Sequence, residues 1–207
     1  MSDFVYSNMF SKLDPRILQR IKEYAIHKEV PAGAEILHLG QYVQVVPIVE
    51  EGLVKVFTHH EEKELLLYYI QPLESCVMSF SAALNGNKSK INAIAELDTK
   101  LLILPVEQLK ILLEEFPKLR DSFYEHYNQR YSDLIDTIHQ LIFTHLDKRI
   151  LDFLRERSRL TQQNPLKISH KEIANNLGSA REVVTRIIKK LESDKKLLQL
   201  KDGIEIF

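Results

Sequence analysis

The chain has 207 residues, 28 Lys/Arg against 29 Asp/Glu and a single cysteine. That length supports a buried core in one large or two small domains. The lone Cys76 excludes an internal disulfide framework, a multi-cysteine zinc site and a self-contained iron–sulfur cluster. The near-zero net charge hides a division: residues 1–143 hold 14 Lys/Arg and 20 Asp/Glu, residues 144–207 hold 14 and 9, so only the C-terminal part is basic enough to favour phosphate.

The start, MSDFVYSNMFSKLD, lacks the basic n-region and apolar centre of a signal peptide, and no apolar run reaches the roughly 18 residues of a bilayer span. A cytoplasmic chain with no membrane partner is expected. Asp14–Tyr24 reads as a short helix with Pro15 at its first position. From His27 to about Pro105 short apolar or alternating runs recur at Ala34–Leu39, Val43–Val49, Leu53–Thr58, Glu64–Ile70, Ile91–Glu96 and Lys100–Leu104, separated by turn residues. Strands at such spacing predict an all-β sandwich or barrel, with Cys76–Leu84 as a helical insert.

Val106–Glu115 predicts a helix ended by Phe116-Pro117. The longest helical pattern follows, Lys118 to about His145, free of Gly and Pro. On it Tyr124, Tyr127, Tyr131, Leu134, Ile138 and Leu141 keep a 3-4-3-4-3 spacing, a heptad seam suited to pairing with a second copy of the chain; the other reading packs that seam on the β-domain. Thr144–Asp147 marks the joint, and Lys148–Leu160 predicts a helix that turns Ile150, Leu151 and Leu154 inward.

Ser169–Leu197 carries the densest signal. Ser169 precedes Glu172 by three residues and Ser179 precedes Glu182 by three, two candidate capping boxes. Gly178 lies between them at a tight turn. Lys171–Leu177 and Ala180–Ser193 are therefore expected as a helix pair. The second helix buries Val184, Ile187, Ile188 and Leu191 and shows Glu182, Thr185, Arg186 and Lys189 on the other face, with Arg181 on the flank. That describes a helix-turn-helix whose second helix recognises DNA. Leu197–Leu200, Lys201-Asp202-Gly203 and Ile204–Phe207 read as strand, turn and strand, a β-hairpin wing.

This order resembles the Crp/Fnr family of bacterial transcription regulators over nearly the whole chain. The resemblance is carried by GSAREVVTRIIKKLE (Gly178–Glu192), close to the family's G-x-S-R-E-x-V-x-R-x-L-x-x-L-E, by EEGLVKVF (Glu50–Phe57) and by PAGAEILHLG (Pro31–Gly40); Ala180 stands where the family usually has Ser. It implies an α+β architecture: a β-roll or jelly-roll sensor domain at 1–117, a long dimerisation helix at 118–145 and a winged helix-turn-helix at 146–207. It implies a homodimer on a palindromic duplex, RNA polymerase as a partner if the regulator activates, and an unidentified small-molecule effector. Arg181, Glu182 and Arg186 become the base readers, and the guanidinium fork suits the O6 and N7 acceptors of guanine. Glu182 also matches Ser179's cap, which ranks it below the arginines. Ser179, Thr185, Lys189, Lys190, Lys171 and His170 are candidates for secondary or phosphate contacts.

The candidate effector pocket comprises Glu74, Cys76, Met78, Lys88 and Ser89. Cyclic-AMP-binding members resemble one another in a G-E-x-G…R-S/T cassette, and the matching stretch here is LESCVMSFSAALNGNKSKINA (Leu73–Ala93). Gly is absent beside Glu74, and no arginine occurs between Ile21 and Pro117; Lys88 is a point-charge substitute. No cofactor is predicted, and cyclic AMP is disfavoured. Haem stays open because Cys76 and Met78 lie where carbon-monoxide-sensing relatives place an axial thiolate, although sulfur residues in such a run usually fill core. A rival class is a cupin-like metal enzyme using His59, His60 and Glu64, but adjacent strand residues point to opposite faces. No catalytic motif is visible, and a non-enzyme is expected.

Overall fold

The structure, a computed structural model, describes residues 9–10, 13–60, 63–143 and 145–207, with the side chains of 60, 63 and 139–143 outside that description. The elements run α1 (Pro15–Tyr24), β1 (Ile26–Val30), β2 (Glu35–Leu37), β3 (Val45–Glu51), β4 (Val54–His60), β5 (Lys63–Ile70), α2 (Val77–Asn85), β6 (Asn92–Ala95) and β7 (Thr99–Pro105). After them come α3 (Val106–Glu115), α4 (Pro117–Phe143), α5 (Leu146–Thr161), α6 (His170–Asn176), α7 (Arg181–Ser193), β8 (Leu197–Leu200) and β9 (Gly203–Ile206). This is the expected α+β class. Contacts divide it into two compact units, residues up to Val56 with Tyr68–Leu134, and Phe57–Leu67 with Ile135–Phe207.

In the roll β7 lies between β1 and β3, and a four-stranded sheet takes the order β2-β6-β4-β5. The antiparallel β3–β7 register sets Ile48 opposite Leu102 and Val49 opposite Leu101, all four buried. Consecutive residues point to opposite faces of a strand, so these neighbouring buried pairs show that both faces of the β3–β7 ladder are covered here. The turn from β3 to β4 requires Gly52, whose φ is +96° and whose absent Cβ would lie 2.5 Å from the Asp98 carbonyl oxygen. β1 was not among the expected strands. Its sequence, IHKEV, leaves four of five residues exposed on a sheet edge, so no alternation advertises it.

The second unit's core joins Ile150, Phe153 and Leu154 of α5 to Ile173, Val184, Ile188 and Leu191 of the helix pair, and to Leu197 and Ile204 of the hairpin. Leu166 pairs with Ile204 through two backbone hydrogen bonds of 2.8 and 2.9 Å, adding a third rung to the wing. That approach explains Gly203, where a Cβ would lie 2.5 Å from the Leu166 carbonyl oxygen.

One local expectation fails. Ser169 does cap α6, accepting from Glu172 N at 3.1 Å, but Ser179 does not cap α7. The N-cap is Ala180, with no side-chain cap bond. The cause is the preceding helix end: Ser179 N donates to Ala174 O at 2.9 Å and Gly178 N to Asn175 O at 3.1 Å, with Gly178 at φ +63°. This paired closure engages Ser179 in finishing α6 and moves the start of α7 one residue on.

Candidate nucleic-acid interface

At about 100° per residue, the exposed side of α7 occupies one arc. Taking Arg181 as zero, Thr185, Lys189, Glu182 and Arg186 fall within about 140°, and Val184, Ile187, Ile188 and Leu191 lie outside that arc, between about 240° and 340°. The burial agrees: Val184, Ile188 and Leu191 are inside, while Arg181, Glu182, Arg186 and Lys189 are exposed. Arg181 and Arg186 stand about 7.5 Å apart along the axis, near two base-pair steps. Neither has an ion-pair or hydrogen-bond partner for its side chain among the described residues. The same holds for Glu182, which is therefore not engaged by a cap on Ser179.

Polar staples set the pose of that arc. His170 Nδ1 lies 3.0 Å from Thr185 Oγ1, joining α6 to α7. Arg157 pairs with Glu172 at 2.7 Å, and Arg149 donates to the Leu177 carbonyl oxygen at 2.9 Å, both tying α5 to the first helix of the pair. Burial lowers the Arg149 pKa from its ordinary value. Lys190 reaches Asp147 on α5 at 3.4 Å, so it sits on the flank of the arc, away from Arg181. Lys171 is exposed at the start of α6, and Ser179 is half-buried in the turn.

Residues the sequence reading left out add to the basic surface. A groove between the segment before α6 and the wing is lined by Lys167, Ser169, His170, Lys201 and Asp202. The missed signal was that Lys201 sits at the two-residue tip of the hairpin, on the same groove as Lys167, which follows the Leu166 bridge to Ile204.

The candidate effector residues separate into two places. Glu74 and Cys76 are buried at the base of α2, where Arg130 of α4 pairs with Glu74 at 3.1 Å and Tyr68 OH meets Cys76 Sγ at 3.4 Å. Cys76 is also the N-cap of α2, its sulfur accepting from Ser79 N at 3.4 Å, and Met78 is half-buried one residue into that helix. Lys88 instead lies exposed over the Tyr42 ring at 5.1 Å, and buried Ser89 bonds within its own turn, donating from Oγ to Ile91 O at 2.8 Å. Burial raises the Glu74 pKa against the pull of Arg130 and raises that of Tyr68 well above its ordinary value. Of the cupin-like candidates, His59 is exposed, Glu64 is half-buried and the His60 side chain lies outside the described set. Among the described residues, no group of three or more His, Cys, Asp or Glu is placed to hold a metal. No helix there is long and apolar enough to cross a membrane.

Seam residues Tyr124, Tyr127, Tyr131, Leu134 and Ile138 are exposed on the single chain. The side chain of Leu141, the sixth, is outside the described set.

Comparison with known proteins agrees with this geometry. Residues 148–207 match the Crp-like helix-turn-helix domain. The cyclic AMP receptor protein of Thermus thermophilus is 25% identical over 189 residues, covering 91% of this chain and 87% of that protein. A global nitrogen regulator of Synechococcus elongatus is 26% identical, with 84% and 82% covered. Among solved structures, a candidate transcriptional regulator of the Crp/Fnr family from Eubacterium rectale is 28% identical, with a TM-score of 0.81 over 96% of this chain and 92% of the other. A Crp/Fnr-family transcriptional regulator from Thermus thermophilus, TTHA1359, is 26% identical, with a TM-score of 0.76 over 88% and 93%. Residues 148–207 thus form a Crp-like helix-turn-helix domain, and the chain as a whole, with its β-sheet domain, long helix and a second helix exposing arginines unpaired among the described residues, is similar to Crp/Fnr transcription regulators.

Proposed function

We propose that the chain works as a homodimer that reads a two-fold symmetric duplex, with α7 of each copy in successive major grooves. Arg181 and Arg186 take guanine edges, and Glu182 accepts from a cytosine amine. Lys171, Lys189, His170 and the groove lysines contact phosphates, while Thr185, held by His170, meets a thymine methyl or the backbone. Lys190 contributes less because it is paired with Asp147. The face of α4 bearing Tyr124, Tyr127, Tyr131, Leu134 and Ile138 packs on its twin. Five exposed large apolar residues in heptad register on one helix are the pattern of a coiled-coil seam. The roll is the sensing part, and the residue spans 1–117, 118–145 and 146–207 divide these three tasks.

The observation that carries this reading is the pair of unpartnered arginines on the arc of α7 opposite its buried stripe. Selection of binding duplexes from a random pool, followed by titration at several salt concentrations, tests it. A palindrome with half-site centres about 34–36 Å apart, or a multiple of that spacing, is expected. The affinity should fall steeply with salt. An unsymmetric or unenriched pool, or a log–log salt slope near zero, would falsify it.

A further inference from the structure

The inner side of α4 carries a second stripe, one residue out of step with the seam. Phe123, His126, Arg130 and Asp133 follow a 3-4-3 spacing and face the roll. Their contacts run antiparallel to the segment leading into α2 and the first turn of that helix: Phe123 stacks on Phe80, the His126 ring bonds to the Ser75 backbone, and Arg130 meets Glu74. Arg130 is the hub. Its Nη2 donates to Glu74 Oε2 at 3.1 Å and its Nη1 to Asp133 Oδ2 at 3.1 Å. Its guanidinium carbon lies 4.5 Å from the centre of the Tyr68 ring. Only 12% of its side chain and 2% of Glu74's reach solvent.

A planar cation held between a carboxylate and an aromatic face, in the interior of a sensing domain, has the anatomy of a bound ligand. Here the chain supplies both halves. Two carboxylates around one guanidinium leave the place with a formal surplus of negative charge, so an additional anion is repelled. We propose that Arg130 is a built-in ligand of the roll. It fixes α4 against the segment before α2, presents the seam, and allows the dimer to bind DNA with no anionic effector. This rests on the DNA-binding dimer proposed above.

The test uses full-length protein freed of small molecules by unfolding, dialysis and refolding, with the selected duplex as probe. Stripped wild type is expected to bind, and added cyclic AMP or inorganic phosphate at millimolar concentration should move its affinity less than twofold. Glu74→Ala should bind at least tenfold more weakly and shift towards monomer. Tens of millimolar acetate, at matched ionic strength, should restore most of that loss by replacing the missing carboxylate; chloride should not. Wild-type binding that appears only after an anion is added overturns the inference, as does a Glu74→Ala variant that binds normally or ignores acetate. If that variant does not fold, Arg130→Lys decides: it keeps the charge but loses the fork and stacking, and undiminished affinity would overturn the proposal. Wild type that binds no duplex under any condition overturns the functional reading instead. The acetate effect on the monomer–dimer equilibrium of Glu74→Ala then still reports on Arg130.

Discussion

Two arginine sites, one in each unit, work in opposite ways. In the roll Arg130 is enclosed by Glu74, Asp133 and the Tyr68 ring, so its charge is neutralised inside the protein. In the helix-turn-helix Arg181 and Arg186 are exposed and, among the described residues, make no ion pair, so their charge and donors remain available to an outside partner. Thus one side-chain chemistry can hold a fold together or recognise another molecule, and whether the fold brings a carboxylate into ion-pair distance decides which.

Substitutions can break that contrast from either side. The largest effect is expected on folding, from Glu74→Ala: removing the buried carboxylate leaves Arg130 with only the more exposed Asp133, costing about 3 kcal/mol, read by urea unfolding of the full chain. Next comes pH. His126 is 5% exposed, and its pKa falls from 6.5 to about 4, chiefly by burial and then by the neighbouring Arg130 charge, with its bond to the Ser75 backbone opposing. Between those values the unfolded chain takes up a proton that the folded chain does not. His126's contribution is therefore full above pH 6.5 and is lost as the pH falls towards 4, up to about 3 kcal/mol. Glu74 acts in the opposite sense, since its raised pKa makes the folded form bind a proton earlier. The difference between wild type and His126→Gln across pH isolates the histidine; two parallel curves would refute the assignment.

Arg181→Ala and Arg186→Ala should each cost about 1–3 kcal/mol in DNA binding and relax specificity at one base pair. Their folding stability should stay within about 0.5 kcal/mol of wild type. Equal losses on folding and binding would erase the contrast with Arg130. The smallest effect is a gain. Ala180→Ser supplies the missing N-cap oxygen and should stabilise the chain by about 1 kcal/mol in thermal unfolding.

Much of this architecture was legible where chemistry repeats. Val106–Glu115 agrees at both ends, and the other helices agree to within one or two residues at each end, because apolar periodicity and capping residues act locally. β1 was hidden since an exposed edge strand needs no alternation. Ser179 misled because the capping pattern at Ser179–Glu182 was real in spacing but competed with the αL closure at Gly178. In the interface the arc of α7 could be read from the helical wheel, whereas the Lys167–Lys201 groove could not, as it depends on Leu166 joining the wing. Arg130 escaped notice because the apolar seam beside it gave the stronger signal. The stripe of Phe123, His126, Arg130 and Asp133 was present at helical spacing, and only its burial against Glu74 gives it meaning.

Gly203 carries a last consequence. With the Leu166 carbonyl oxygen 2.5 Å from where any Cβ would stand, this position is closed to all other residue types unless the backbone shifts. Strands of four residues on each side rise only about 13 Å. The hairpin is thus a short, stiff peg whose base admits no bulkier residue, so substitutions that leave the backbone in place are confined at this end to the two tip residues, Lys201 and Asp202.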